Sequence, residues 1–284
     1  MRRALGQPDW KRSHRLRWGV WQTFNRLGLT GLHGLPHHPA WVDVERIDMP
    51  IPGLPDALVG RRLVQISDLH HSPVVGRSYL RQHIERVNRL RPWRVVVTGD
   101  LVTGGYRFDR RVAALLARID APTICTFGNH DYSIRGKRNA IAAGRRGKHL
   151  RLALESEGLT VLQNEALVID GLTLVGLDDL WTGRLDADIA FAGVAGPCVC
   201  LNHDPRNARD LLAHPWQWML AGHTHGRPLR KSIRPFTAGH YPLANGKDLY
   251  VNRGLSYGMR SKQWCKPEIT VFRLVDADRS PTAT

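Results

Sequence analysis

At 284 residues the chain is long enough to bury a sizeable core and falls within the range of one large domain. Its 41 Lys and Arg against 25 Asp and Glu leave a formal charge of +16 at pH 7. That surplus favours anionic partners (nucleic acid, anionic lipid headgroups or phosphorylated metabolites) without choosing among them, and a basic surface that only aids solubility fits it too. Four cysteines (Cys125, Cys198, Cys200, Cys265) exclude a disulfide framework, and no stretch approaches the ~20 apolar residues of a membrane span.

Residues 1–45 differ from the rest and read as an N-terminal arm, with one domain over 46–284. The arm carries Arg2, Arg3, Lys11, Arg12, Arg15, Arg17 and Arg26, with Trp10, Trp18, Trp21 and Phe24 among them. Basic residues interleaved with large aromatics at near-helical spacing can lie flat on an anionic bilayer. The same aromatics also suit covering part of a core, and the charges suit nucleic acid. The N-terminus lacks the apolar segment of a signal peptide, and charged residues follow Arg2-Arg3 where a twin-arginine leader turns apolar. The expected location is cytoplasmic, and peripheral at the inner face of the plasma membrane where the arm serves as anchor.

From Arg61 the pattern turns regular. The run RLVQIS reads as a short buried strand leading into DLHHSP. Leu80, Ile84 and Val87 predict a helix over 78–90 that stops before Pro92. RVVVTGD is a β-branched strand ending in a Gly-Asp turn. Val112, Leu115, Leu116 and Ile119 mark a second helix, and TICTFGNHD supplies a third strand. This alternation predicts an α/β core. In the second half, ALVID-GLTLVGL predicts a hairpin around Asp170-Gly171. CVCLNHD, WMLAGHTHG, DLYVNRG and EITVFRL each give a further short strand. Cys198 and Cys200 should share one face of the first of these, as packing residues in a reducing compartment.

Five loops, each after a short apolar run, end in residues that bind metals: Asp68 and His70; Asp100; Asn129 and His130; His203; His223 and His225. Ligand sites in α/β sheets gather at the carboxyl ends of strands. Carboxylate, imidazole and carboxamide together suit borderline divalent ions such as Mn, Fe or Zn, and the absence of a thiol argues against a structural zinc site. In an extended segment Asp68 and His70 would project to one side and reach one ion. Taken singly, each residue has a plain alternative as a cap, an Asx turn or a surface polar group. Seven of these eight, taken as candidate ligands after five separate strands, do not fit that alternative together.

The ordered set DLH, GD, GNHD, LNHDP and GHTHG resembles the calcineurin-like metallophosphoesterases. GLDD, NRG and PEIT are similar to a bacterial branch of membrane-associated phosphodiesterases, which includes enzymes that cleave the pyrophosphate of UDP-diacylglucosamine. The resemblance implies a two-sheet β core flanked by helices and two divalent metal ions on loops at strand carboxyl ends. One ion would take Asp68, His70 and His225, the other Asn129, His203 and His223, with Asp100 bridging them. A metal-bridging hydroxide would attack phosphorus. His130 would face the substrate to stabilise charge or protonate the leaving group, and Asp131 would orient His130.

The sequence departs from that pattern in places. Arg227 and Pro228 stand where a further Gly and a polar residue are common, and the guanidinium of Arg227 suits either a substrate phosphate or solvent. His71 replaces a common apolar residue and reads as a surface His. The branch often has an N-terminal transmembrane helix that is missing here, so the arm would substitute as a peripheral anchor. The expected substrate is a phosphorylated small molecule or a lipid-linked diphosphate. A nucleotide or nucleic-acid phosphodiesterase is the alternative, though no nucleic-acid-binding motif is visible, and a non-catalytic scaffold is a third.

Overall fold

The computed structural model describes residues 42–133, 140–226, 236–256 and 266–278. Residues 1–41 of the arm, Arg227 and Cys265 lie outside the described residues. The first half of the chain runs β1 (Asp43–Ile51), β2 (Arg62–Ile66), α1 (Arg77–Arg89), β3 (Arg94–Thr98), α2 (Asp109–Leu116), β4 (Thr123–Thr126), α3 (Ala140–Glu155) and β5 (Thr160–Val161). The second runs β6 (Glu165–Ile169), β7 (Leu172–Gly176), α4 (Ala187–Ala190), β8 (Cys198–Leu201), β9 (Trp218–Ala221), β10 (Gly239–Pro242), β11 (Asp248–Val251) and β12 (Glu268–Asp276).

Two six-stranded mixed sheets result, in the orders β1-β12-β2-β3-β4-β5 and β10-β11-β9-β8-β7-β6. Side-chain alternation builds the layers. In β3, Val95 and Val97 pack with Leu80, Ile84 and Val87 of α1 and with Val112, Leu115 and Leu116 of α2. Val96 points the other way, into a core between the sheets with Leu63, Leu174, Val199, Trp218 and Phe272. In β8, Val199 and Leu201 face that same inter-sheet core. Cys198 and Cys200 face the far side with Met219, Leu249 and Phe191, so the shared face expected for the two thiols is found, and both are free.

The expected α/β core is present, with the parallel run β2-β3-β4-β5 in the first sheet and β7-β8-β9-β11 in the second. The hairpin turns at Asp170 (φ 51°) and Gly171 (φ 87°), the double positive φ of a tight type I′ turn. Two features differ from the sequence reading. The strand β1 begins at Asp43 and pairs in parallel with β12, so residues 43–45 belong to the sheet rather than to the arm. The helix α2 stops at Leu116, and Ile119 reaches the same core from the turn beyond it. Among the described residues no helix is long and apolar enough to cross a membrane.

The two sheets are tied at the carboxyl ends of their strands. Gln65, fully buried in β2, donates through Nε2 to Thr98 Oγ1 of β3 (2.9 Å) and to the Ala221 carbonyl of β9 (2.9 Å). The loops that follow β2, β3, β4, β8 and β9 therefore open onto one place.

Candidate metal centre

Those loops carry the seven expected ligands, and the backbone bends sharply to present them. Asp68 (φ 49°), His70 (47°), Asp100 (53°), His223 (71°) and His225 (53°) all adopt the left-handed region. Non-glycine residues rarely do so, and such strain concentrates at functional sites. Here the extended geometry expected of Asp68 and His70 is corrected. Both are left-handed, and Leu69 between them is turned into the helix-side core. Gly128 and Gly222 allow the loops to close in: a side chain at Gly128 would collide with the Asp100 carboxylate and the His203 ring, and one at Gly222 with Ser67 and Asp68.

Each carboxylate has one oxygen anchored and the other offered. Asp68 Oδ2 accepts from Ser67 Oγ (2.6 Å) and from the His223 amide (3.0 Å). That aims Oδ1 at His225 Nε2 (3.3 Å) and His70 Nε2 (3.8 Å). Asp100 Oδ1 accepts from the His130 amide (2.9 Å). Its Oδ2 lies 3.4 Å from His70 Nε2 and 3.4 Å from His203 Nε2. His70 and His225 bring their Nε2 atoms within 3.2 Å of each other, and His203 Nε2 lies 3.2 Å from His223 Nδ1. Three overlapping groups of candidate ligand atoms result: Asp68–His70–His225 and Asp100–His203–His223 at the two ends, and His70–Asp100–His130 between them.

Hydrogen bonds on the far side of the rings set which nitrogen is offered. His203 Nδ1 donates to the Thr98 carbonyl (2.9 Å), leaving the Nε2 lone pair facing Asp100. His225 Nδ1 meets Ser256 Oγ at 3.3 Å. Burial opposes the charge on Asp100, but the rings of His203, His130 and His70 outweigh it and hold this carboxyl well below the usual carboxylate range. Burial, helped by the charge of Asp100, raises Asp68 against the neighbouring His225 and His203; burial, helped by His225, His130 and His203, pushes His70 well below the ordinary imidazole value despite Asp100.

The donor set fits divalent cations. Asp68 Oδ1 is buried and accepts no hydrogen bond among the described residues. Imidazole nitrogens face each other at 3.2 Å with a carboxylate oxygen between the two end groups. A cation in each end group would satisfy lone pairs that otherwise oppose one another, and nitrogen with oxygen donors and no thiol suits Mn, Fe or Zn.

The remaining expected residues fall as follows. Asn129 is buried in the loop between Gly128 and His130. His130 stands edge-on to His70, with ring centroids 4.7 Å apart, and its Nδ1 pairs with the Thr103 carbonyl (3.0 Å). That carbonyl, rather than Asp131, orients the ring. The Asp131 carboxylate instead accepts from the Gly128 amide (2.9 Å) and the Val102 amide (3.2 Å), fastening the β3 and β4 loops together. Burial, and then the charge of Asp100, push its carboxyl up to about 8. His71, expected at the surface, is buried, with Nδ1 on the Val75 carbonyl (3.0 Å) and its ring edge-on to Phe108.

Other supporting residues escaped the sequence reading. Ser67 precedes the first ligand. Asp204, next to His203 in LNHDP, places Oδ2 3.6 Å from His223 Nε2 while binding Trp181 Nε1 and Arg206. The signal for both was adjacency to a ligand. Ser256 has no such marker.

Residues 61–227 match the calcineurin-like phosphoesterase family, and the chain belongs to that family of phosphoester hydrolases. It is 30% identical over 279 residues to the transmembrane protein with metallophosphoesterase domain of Danio rerio, covering 88% of this chain and 61% of that one. Against phosphodiesterase YaeI of Escherichia coli (strain K12) the identity is 29% over 257 residues, covering 84% and 90% of the two chains. Against UDP-2,3-diacylglucosamine pyrophosphatase LpxG of Chlamydia muridarum it is 27% over 295 residues, covering 83% and 90%.

Proposed function

We propose that this chain is a dinuclear metal-dependent hydrolase of phosphodiester or pyrophosphate bonds. The observation that carries the reading is the Asp100 carboxylate oxygen, 3.4 Å from His70 Nε2 in one group and 3.4 Å from His203 Nε2 in the other. Asp68, His70 and His225 would hold one ion; Asn129, His203 and His223 would hold the other, with Asp100 shared. Two such ions, Mn, Fe or Zn, would when bound supply charge neutralisation for the phosphoryl group and a water of lowered pKa as nucleophile.

The chain's own groups do the rest. His130, its Nδ1 committed to the Thr103 carbonyl, presents Nε2 to the substrate, where it stabilises negative charge or hands a proton to the leaving oxygen. Asp131 holds the two loops that carry Asp100 and His130 in register. Arg227 grips a second phosphate of a diphosphate substrate. The similarity to LpxG and the net positive charge favour a lipid-linked diphosphate such as UDP-diacylglucosamine, with the basic, Trp-rich residues before β1 as the contact to the anionic membrane surface.

The test is hydrolysis of bis(p-nitrophenyl) phosphate by the purified chain, with bound metal measured on the same sample. Chelator-sensitive cleavage with about two metals per chain is expected, followed by cleavage of UDP-diacylglucosamine in detergent. Absence of metal and of cleavage after addition of Mn would overturn the reading.

A further inference from the structure

The segment after β11, residues 252–256, lies beyond the family-matched span of 61–227, yet it grips the first ligand group at several points. The Leu255 amide donates to the Ser67 carbonyl (2.8 Å) and the Ser256 amide to the Asp68 carbonyl (3.0 Å). Gly254 (φ 81°) lies so close that a side chain there would strike Asp68 Cβ. Ser256 Oγ reaches His225 Nδ1 at 3.3 Å, on the ring edge away from the Nε2 that faces Asp68 and His70.

The other end of the segment is anchored firmly. Asn252, fully buried, donates to Thr270 Oγ1 (2.9 Å) and accepts from the Gly254 amide (2.7 Å). Arg253 Nε pairs with the buried Glu268, and its guanidinium reaches Glu45 (2.7 Å) and Asp43 (3.3 Å) at the start of β1. The Gly254 carbonyl accepts from the Glu268 amide (3.0 Å). Residues 252–256 thus form a strap from β1 and β12 to Asp68 and His225. His203 leans instead on the Thr98 carbonyl at the end of β3.

We infer that Ser256 is a positioning residue for His225, and that this strap sets the affinity of the first metal group selectively. The inference rests on the dinuclear reading above. The hydroxyl holds the ring so that Nε2 and not Nδ1 is offered, the outer-sphere role that partners of metal-bound histidines commonly play, with 10–100-fold effects on affinity. One hydroxyl at 3.3 Å belongs at the lower end of that range.

The test is calorimetric titration of the metal-free full-length chain with Mn(II), which does not depend on turnover. The wild-type chain is expected to take up two equivalents. Ser256→Ala is expected to bind one equivalent as wild type and the other about tenfold more weakly, and Ser256→Thr, which keeps the hydroxyl, to restore it. Arg253→Gln, at the far end of the strap, should weaken the same equivalent and not the other, which guards against misfolding of one variant. Two equivalents at wild-type affinity in Ser256→Ala would overturn the inference and leave the dinuclear reading standing. Equal weakening of both equivalents would also overturn it. Failure of the wild-type chain to bind Mn(II) at all would instead remove the dinuclear reading, and this inference with it.

Discussion

The two halves of the metal centre are supported in different ways. The half around His203 and His223 leans on strand ends of the two sheets: the Thr98 carbonyl at the end of β3 holds His203, and Asp204, in the loop after β8, faces His223. The half around Asp68, His70 and His225 depends in addition on the irregular strap after β11, through Ser256 and the Arg253 anchor on Asp43 and Glu45. A site framed by adjacent parallel strands is preorganised once the sheets form. A site closed by an irregular strap is as firm as that strap, so the Asp68–His70–His225 half should be the easier to empty.

The sharpest way to break the comparison is Asp100→Ala, because Asp100 belongs to both halves. Hydrolysis of bis(p-nitrophenyl) phosphate should fall by on the order of 10³-fold or more, the scale of losing a strong transition-state stabiliser, and both metal equivalents should weaken together. His130→Ala leaves all seven expected ligands in place and keeps the backbone amide that anchors Asp100. Its kcat should drop by about 10²-fold or more, while metal content, read by elemental analysis, stays at the wild-type level.

Asp131→Ala sharpens the comparison at the level of loops. It leaves the Gly128 and Val102 amides without their acceptor, each a cost of about 1–3 kcal/mol. Urea unfolding should register a loss of that size, with Asp131→Asn losing less because one acceptor oxygen remains.

The smallest effect is expected outside the centre, at His83. Its two ring nitrogens are buried and make no hydrogen bond among the described residues, and burial, with a contribution from Arg86, pushes its pKa down to about 4. A His that is harder to protonate folded than unfolded contributes its full stability above the unfolded value of about 6.5. That stability is lost as pH falls from about 6.5 toward 4. His83→Leu should therefore flatten the decline in unfolding free energy across that interval. An unchanged slope would show that His83 does not titrate in this way.

The candidate ligand set is legible in the sequence because each member follows a short apolar strand, and such loops converge wherever parallel strands lie side by side. What the pattern could not show was how the loops bend. Asp68 and His70 share a cluster through left-handed backbone, a conformation imposed by packing of Leu69 and by the close approach of Gly222 and Gly254. Charges at 43, 45, 46 and 48 hid β1, whose partner β12 lies at the other end of the chain. The helix α3 carries Gly144 and Gly147, and it buries Arg146 against Asp109, so its apolar periodicity is weak. Asp131 was assigned to the wrong partner because adjacency to His130 suggested it, whereas the carboxylate turns back to two amides. Ser256 owes its place to tertiary closure and left no local trace.

The central claim is that one carboxylate serves two ions, and electron paramagnetic resonance of the Mn(II)-loaded chain tests it most directly. Two Mn(II) ions sharing Asp100, about 3.5–4 Å apart, should give an exchange-coupled spectrum that collapses to an isolated-ion signal in Asp100→Ala. A wild-type chain holding two equivalents that shows only isolated-ion signals would contradict the account.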